Sequence, residues 1–333
     1  MTPRERFTRA LTFQAPEGRL PIIEWAAWWG DTIKAWEQQG LPAGLEWEES
    51  LHYFGLDPLY NIAANTRGAG TPVPAHHGAA IVTDEASYDA VLPYLYPQKS
   101  IDELLDRARS LRQKHERGDI AIRVWLDGFF WFPRTLLGIE GHLYAFYDQP
   151  ELMHRMNRDV AAFHKRTLEA LFTVLVPDMV GIAEDMSYNN GPMLSRDAFN
   201  EFIRPYYNEL IPLIKSSGVP VLVDSDGQIE DMIPWLQEAG IDGVYPLERQ
   251  AGVDIPRIRA KYPRWAMMGG YDKMVMPRGE AAMRAEFERL LPVMRSGGFI
   301  VSVDHQTPPG VTLENYRVYV SLLCEYSHRA AAR

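Results

Sequence analysis

The sequence predicts an α/β protein built on a parallel sheet, and three observations predict it. Apolar runs alternate with stretches of helical period along most of the chain. Most of those runs are apolar throughout instead of alternating. Acidic residues gather where the runs end. Strand and helix in regular succession mean parallel strands joined by crossover helices, and continuously apolar strands mean a sheet covered on both faces. A (β/α)8 barrel and a doubly wound open sheet both meet this pattern. No G-x-G-x-x-G follows the first run, which counts against the dinucleotide-binding form of the open sheet.

The elements follow in order. "RLPIIEW" (19–25) reads as a strand, "AAIVT" (79–83) as another and "DIAIRVWLD" (119–127) as a third. Two amphipathic helices are expected around 134–147 and 150–174. "DMVGIAED" (178–185) is a strand ending in acids. A helix over 195–218 opens at Ser195 as its N-cap and stops at Gly218. Then come a strand over 219–227, a helix over 228–240, a strand over 241–248, a short helical stretch over 252–263 and a strand over 264–270. A helix over 278–298, a last strand over 299–310 and a last helix over 312–327 complete the chain. All 333 residues are expected to form one domain, with 1–78 an N-terminal, Trp-rich helical extension plus the first strand region and 79–333 the remainder.

Bulk composition excludes several classes. With 46% hydrophobic and 23% charged residues the chain is ordinary globular material. The formal charge is −10 and no Lys/Arg block occurs, so no nucleic-acid partner is expected. The one cysteine, Cys324, excludes a disulfide within the chain and a thiolate metal cluster; it sits in a helical run as a core thiol. The charged N-terminus has no apolar signal core, and no run of ~18 apolar residues exists. The expectation is a cytoplasmic protein that does not engage the membrane.

The strand tips carry the chemistry. In either parallel architecture the ligand site lies beyond the carboxyl ends of the strands. There stand Glu184 and Asp185, then Asp224 and Asp226, then Tyr245 and Glu248, then Tyr271, Asp272 and Lys273, and last Asp304 and His305. Asp224 and Asp226 point the same way if both are extended. Two close carboxylates need a cation, a shared proton or solvent. A converging metal site or a proton-transfer pair explains the set; helix capping is the competing explanation, above all for Asp226. Trp25, Trp28, Trp29, Trp125, Phe129, Phe130 and Trp131 would stack on a flat ligand or else fill the core. Tyr188, Asn189 and Asn190 follow the first acidic tip and line the cleft or form a polar turn. Lys273 and Arg123 are candidate anion holders. His76 and His77 lie in a Pro/Gly loop without metal-ligand spacing.

These residues also carry a resemblance. "TPRERFTRALTFQAPEGRLPI", "LLGIEGHLYAFYDQPELMHRM", "EDMSYNNGPMLSRDAFNEFIRPYY", the stretch 221–255, "GGYDK" and "DHQTPPGVTLENYRVY" together resemble the uroporphyrinogen decarboxylase superfamily over nearly the whole chain. That group holds decarboxylases of haem synthesis and methyltransferases that serve corrinoid proteins and coenzyme M. The resemblance implies a (β/α)8 TIM barrel with a deep cleft at its carboxyl end. True decarboxylases of the group resemble one another in an Arg-rich loop after the first strand. Here that place reads "EWAAWWGDTIKAWEQQG", with Trp25, Trp28, Trp29 and Trp36, two acids, Glu24 and Asp31, and no arginine. Such a mouth would not collect a many-fold anionic porphyrinogen. The coenzyme M methyltransferases share a His-x-Cys and a later Cys that bind zinc. The first pair falls on Asp224 and Asp226 here, and the last ligand on Asp304 or His305. Oxygen and nitrogen donors in place of thiolates leave a metal harder and suit an oxygen-bearing substrate.

The leading expectation is therefore a metal-assisted methyltransferase that moves a methyl group from an O-methylated aromatic small molecule to a corrinoid protein. Asp224, Asp226 and His305 would hold zinc or another divalent metal, with Glu184 or Glu248 as a further ligand or general acid. Glu184, Asp226 and Glu248 would be catalytic. Trp25, Trp28, Trp125, Tyr188, Asn190, Tyr245 and Lys273 would bind substrate. The candidate macromolecular partners are the corrinoid protein and a second copy of the chain in a homodimer. A decarboxylase of a small carboxylated substrate, a glycoside hydrolase using paired carboxylates and a non-catalytic binding protein are the alternatives.

Overall fold

A computed structural model describes residues 1–14 and 17–332. Nine strands occur among them: β1 Leu59–Ile62, β2 Ala121–Asp127, β3 Met179–Ala183, β4 Ser187–Tyr188, β5 Gly191–Pro192, β6 Val221–Ser225, β7 Gly243–Pro246, β8 Ala266–Tyr271 and β9 Phe299–Val303. Seven form one parallel sheet in the order β1-β2-β3-β6-β7-β8-β9, and β4 and β5 make a small antiparallel hairpin. The sheet register runs through apolar pairs such as Val124 with Val180, Ile182 with Val223, Val223 with Val244 and Met268 with Ile300. Every residue of β3, β7, β8 and β9 is buried. Continuous apolar strands thus give a sheet covered on both faces, as the sequence implies.

The sheet curls, and a closed ladder of eight strands is not formed. The stretch 19–25, expected as a strand, is buried but not paired as one. It lies in the seam between the edge strands all the same. Ile22 exchanges backbone and side-chain hydrogen bonds with Asp57, just before β1. On the other side Ser302 of β9 donates to the Ile23 carbonyl, and Trp25 Nε1 donates to the Val303 carbonyl at 2.7 Å. Asp57 is itself clamped by Arg6 and Arg19. The expected strand over 79–83 is also absent; Ile81 and Val82 donate to the Leu136 carbonyl in a loop. The actual first strand, β1, is only four residues long and follows Pro58.

The helices pack outside the sheet, with local breaks that have local causes. The expected helix over 134–147 divides at Gly138, whose φ of 72° no helix accepts. The helix expected over 195–218 divides into Arg196–Phe202 and Arg204–Ser216, because Pro205 has no N–H to donate back. Ser195 caps the first piece, accepting from the Ala198 amide at 3.1 Å. Near the N-terminus the helices are Pro3–Leu11, Gly30–Glu37 and Trp47–Phe54, with Trp25 and Trp28 in the connecting coil. Among the described residues no helix is long and apolar enough to cross a membrane.

Candidate functional site

The site stands where β6, β7 and β9 end. Asp224 is the fourth residue of β6, which stops at Ser225. The chain then turns through Gly227 at φ 81°, so Asp226 lies past the strand and is freed from its two-residue alternation. The two acids consequently serve different places. Asp224 lines a cavity of about 400 Å³ together with Trp25, Asn61, Arg123, Trp125 and His305. Asp226 faces His305 instead, with its Oδ2 3.5 Å from the imidazole Nε2.

Glu248, just beyond β7, accepts a hydrogen bond from the Gly227 amide at 3.0 Å, which draws it to the same turn. Asp226, Glu248 and His305 each present one ligand atom, and these atoms lie within 4.8 Å of one another. The sequence expectation was Asp224, Asp226 and His305, with Glu184 or Glu248 as a further ligand; in the structure Asp226, Glu248 and His305 cluster and Asp224 lies outside the group. The electrostatics are those of crowded acids beside one imidazole. The hydrogen bond to Asp226 raises the pKa of His305. Burial, and then the charge of Asp226, raise the pKa of Glu248. Burial, followed by Asp226, pushes the Asp224 carboxyl well above the usual carboxylate range.

The cavity walls are aromatic and include one permanent cation. Arg123 on β2 is buried. Its Nε donates to Asn61 Oδ1 at 2.5 Å and its Nη2 to the Trp25 carbonyl at 3.1 Å. Its guanidinium lies 5.2 Å from the ring centres of Trp125 and Tyr245 and 6.0 Å from that of Trp25. Trp25 packs edge-on to both Tyr245 and His305. Tyr245 is fully buried, and its hydroxyl fills the space that Gly181 leaves: a Cβ there would fall 2.2 Å from it.

Other expected site residues are placed elsewhere. Glu184 is fully buried, away from the cavity wall. It accepts from the Phe129 and Phe130 amides at 3.0 and 2.7 Å and from the Tyr207 hydroxyl at 2.7 Å. Burial raises its pKa to about 7. It braces the turn into the helix Trp131–Leu137 and is not presented as a catalytic acid. Lys273 is committed to Asp304 at 3.1 Å and to Gln250 at 2.9 Å. Asp304 is fully buried and also accepts the amides of Lys273 and Arg249, so it ties the loops after β7 and β8 together. Trp28 is core, packed against Trp36, Trp47, Phe54 and Tyr316. Tyr188 and Asn190 are exposed on the β4–β5 hairpin, outside the cavity lining. Sequence reading missed Asn61 and Gln306. The only available signal for Asn61 was a polar residue inside the short apolar run after Pro58.

The family model described as Uroporphyrinogen decarboxylase (URO-D) matches residues 74–326. The chain belongs to the uroporphyrinogen decarboxylase family. The uroporphyrinogen decarboxylase of Anaeromyxobacter dehalogenans (strain 2CP-C) is 25% identical over 304 residues, covering 87% of this chain and 82% of that one. The enzyme of the same name from Pseudomonas paraeruginosa (strain DSM 24068 / PA7) is 26% identical over 274 residues, covering 76% and 70%. In structure this URO-D family member is similar to a methyltransferase from Methanosarcina mazei, with a TM-score of 0.65 and 16% identity over 98% of this chain and 99% of that one. That likeness is one of fold.

The donor set of the cluster fits a divalent metal. In a tetrahedral zinc site, bonds of about 2.0–2.2 Å put neighbouring donor atoms about 3.4 Å apart. The His305–Asp226 separation of 3.5 Å is already close to that spacing. Two carboxylates and an imidazole also match the charge and hardness of such an ion.

Proposed function

We propose that this URO-D family member is a metal-assisted methyltransferase, moving a methyl group from an O-methylated aromatic molecule to a corrinoid protein. The observation that carries the reading is the adjacency of the Asp226–Glu248–His305 cluster to an aromatic cavity through His305, which belongs to both. The methyltransferase of Methanosarcina mazei, with the same fold, supports the class of reaction. Asp226, Glu248 and His305 would hold the metal. When bound there, it supplies Lewis acidity toward a departing oxygen.

The chain's own residues do the rest. Trp25 and Trp125 hold a flat ring between them, and Trp25 is fixed in place by its bond to Val303. Asp224 lines the cavity, and in the protonated form that burial favours it would donate a hydrogen bond to the ether oxygen. Trp25, Ala26 and Ala27 of the Trp-rich segment line one side of the cavity.

A decarboxylase is the second reading, favoured by the names of the relatives that share about a quarter of the sequence. The cavity argues against a porphyrinogen: among the described residues Arg123 is the only permanently cationic side chain that lines it. The test is a methyl-transfer assay with free cob(I)alamin and a panel of methoxyarenes, followed by loss of cob(I)alamin absorbance. Turnover that stops in chelator and returns with added zinc is the expected result. Release of carbon dioxide from a carboxylated substrate, with no methyl transfer, would overturn it.

A further inference from the structure

Arg123 is a buried cation that forms no salt bridge; the one acid lining the same cavity, Asp224, has its carboxyl pushed up by burial, with Arg123 pulling the other way. Among the described residues no carboxylate pairs with it; its acceptors are two neutral oxygens, Asn61 Oδ1 and the Trp25 carbonyl. Its Nη1 has no acceptor at all, and neither has the neighbouring Tyr245 hydroxyl, which is likewise buried. A guanidinium stays charged at any ordinary pH, and a charge removed from water is costly unless something compensates it. Three ring faces supply part of the compensation. A planar guanidinium donor fork matches a carboxylate or a phosphate in bidentate fashion, and the aromatic walls favour the carboxylate of a flat acid. Lys273, Arg249 and Arg134, other cations near the strand ends, are already paired with Asp304, Asp254 and Asp185, so they offer no such vacancy.

We propose that Arg123 anchors the carboxylate of a flat aromatic acid, so that the cavity takes an arene carboxylate with its ring between Trp25 and Trp125. A volume of about 400 Å³ is in the range of small-ligand sites and suits a substituted single ring. The carboxylate end lies toward β2, and the opposite edge of the ring lies toward His305. Calling the acid a substrate rests on the proposed methyl transfer; the anchor itself does not.

The test is direct binding to the purified full chain, by calorimetry or tryptophan fluorescence, without corrinoid. The probes are 4-methoxybenzoate, 4-methoxybenzamide and methoxybenzene. The benzoate is expected to bind at least tenfold more tightly than the amide, and Arg123→Met is expected to abolish that preference. Equal binding of benzoate and amide, or no benzoate binding at millimolar concentration, would overturn the anchor. An unchanged preference in Arg123→Met would do the same. If that variant does not fold, by circular dichroism, the comparison of charged and neutral probes on the unaltered protein still decides. Benzoate preference without any methyl transfer keeps the anchor and removes the reaction. Turnover of neutral methoxyarenes without benzoate preference keeps the reaction and removes the anchor.

Discussion

His305 Nε2 stands 3.5 Å from Asp226 Oδ2, so the ends of β9 and β6 meet across the mouth of the cavity. Glu248 completes the group from the end of β7. A pair at this distance without a metal is a charged hydrogen bond; with one it is two adjacent ligands. The difference is measurable. Asp226→Asn, Glu248→Gln and His305→Ala are each expected to weaken zinc binding by more than about tenfold, read by metal analysis after dialysis. Asp224→Asn is expected to keep the metal, because Asp224 lies outside the cluster. Metal loss in Asp224→Asn with retention in Glu248→Gln would restore the set read from sequence.

Glu24 and Glu184 set a second expectation, in stability against pH. Burial raises both carboxyls to about 7. Each therefore holds a proton in the native chain that the unfolded chain has already lost above its ordinary value of 4.5. That stabilising share is complete below the unfolded pKa and is lost as pH rises through about 7. Each group is worth on the order of 3 kcal/mol across the window. Denaturant midpoints are expected to fall from pH 5 to pH 8, and the Glu24→Gln and Glu184→Gln variants to show a shallower fall. A midpoint that rises with pH over this window would contradict the assignment.

Asp304 holds one ammonium and two backbone amides at a fully buried position. Its replacement by Ala leaves the two amides without an acceptor and the Lys273 ammonium with Gln250 alone. Removing one partner of a buried pair costs about 3–5 kcal/mol. The expected result is a Tm lowered by roughly 5 °C, with the metal cluster still formed, since Asp304 is not one of its ligands.

Gly181 makes room for the Tyr245 hydroxyl. Gly181→Ala would place a methyl 2.2 Å from it and push the ring toward Arg123. Overpacking of this kind costs about 1–3 kcal/mol. Weaker binding of the aromatic probe is expected to accompany the lost stability. Unaltered binding would show that Tyr245 does not shape the cavity.

Much of the fold was legible because β3, β6, β7, β8 and β9 begin as apolar runs and alternate with stretches of helical period. The N-terminal third was not. "RLPIIEW" has the apolar content of a strand yet sits in the seam through side-chain bonds, while the true β1, "LYNI", is too short to stand out. Of the site, the carboxylates at the strand tips were visible as a set. Their division between cluster and cavity was not, because β6 ends one residue before Asp226 and only coordinates reveal the turn. Glu184 misled for a related reason. An acid at a strand tip looks the same in sequence whether it meets a ligand or two backbone amides. Arg123 and Lys273 were equal candidates until pairing separated them.

The seam joins parts of the chain that lie 278 positions apart, at Trp25 and Val303. Contacts of such span form only after the ribosome has delivered the final strand, and their loop entropy makes them late in any refolding experiment. Trp25 and His305 stand on opposite sides of that join and both border the cavity. The pocket is therefore expected to mature late, and a small molecule that fills it is expected to stabilise the join between the two ends of the polypeptide, read as a raised denaturant midpoint.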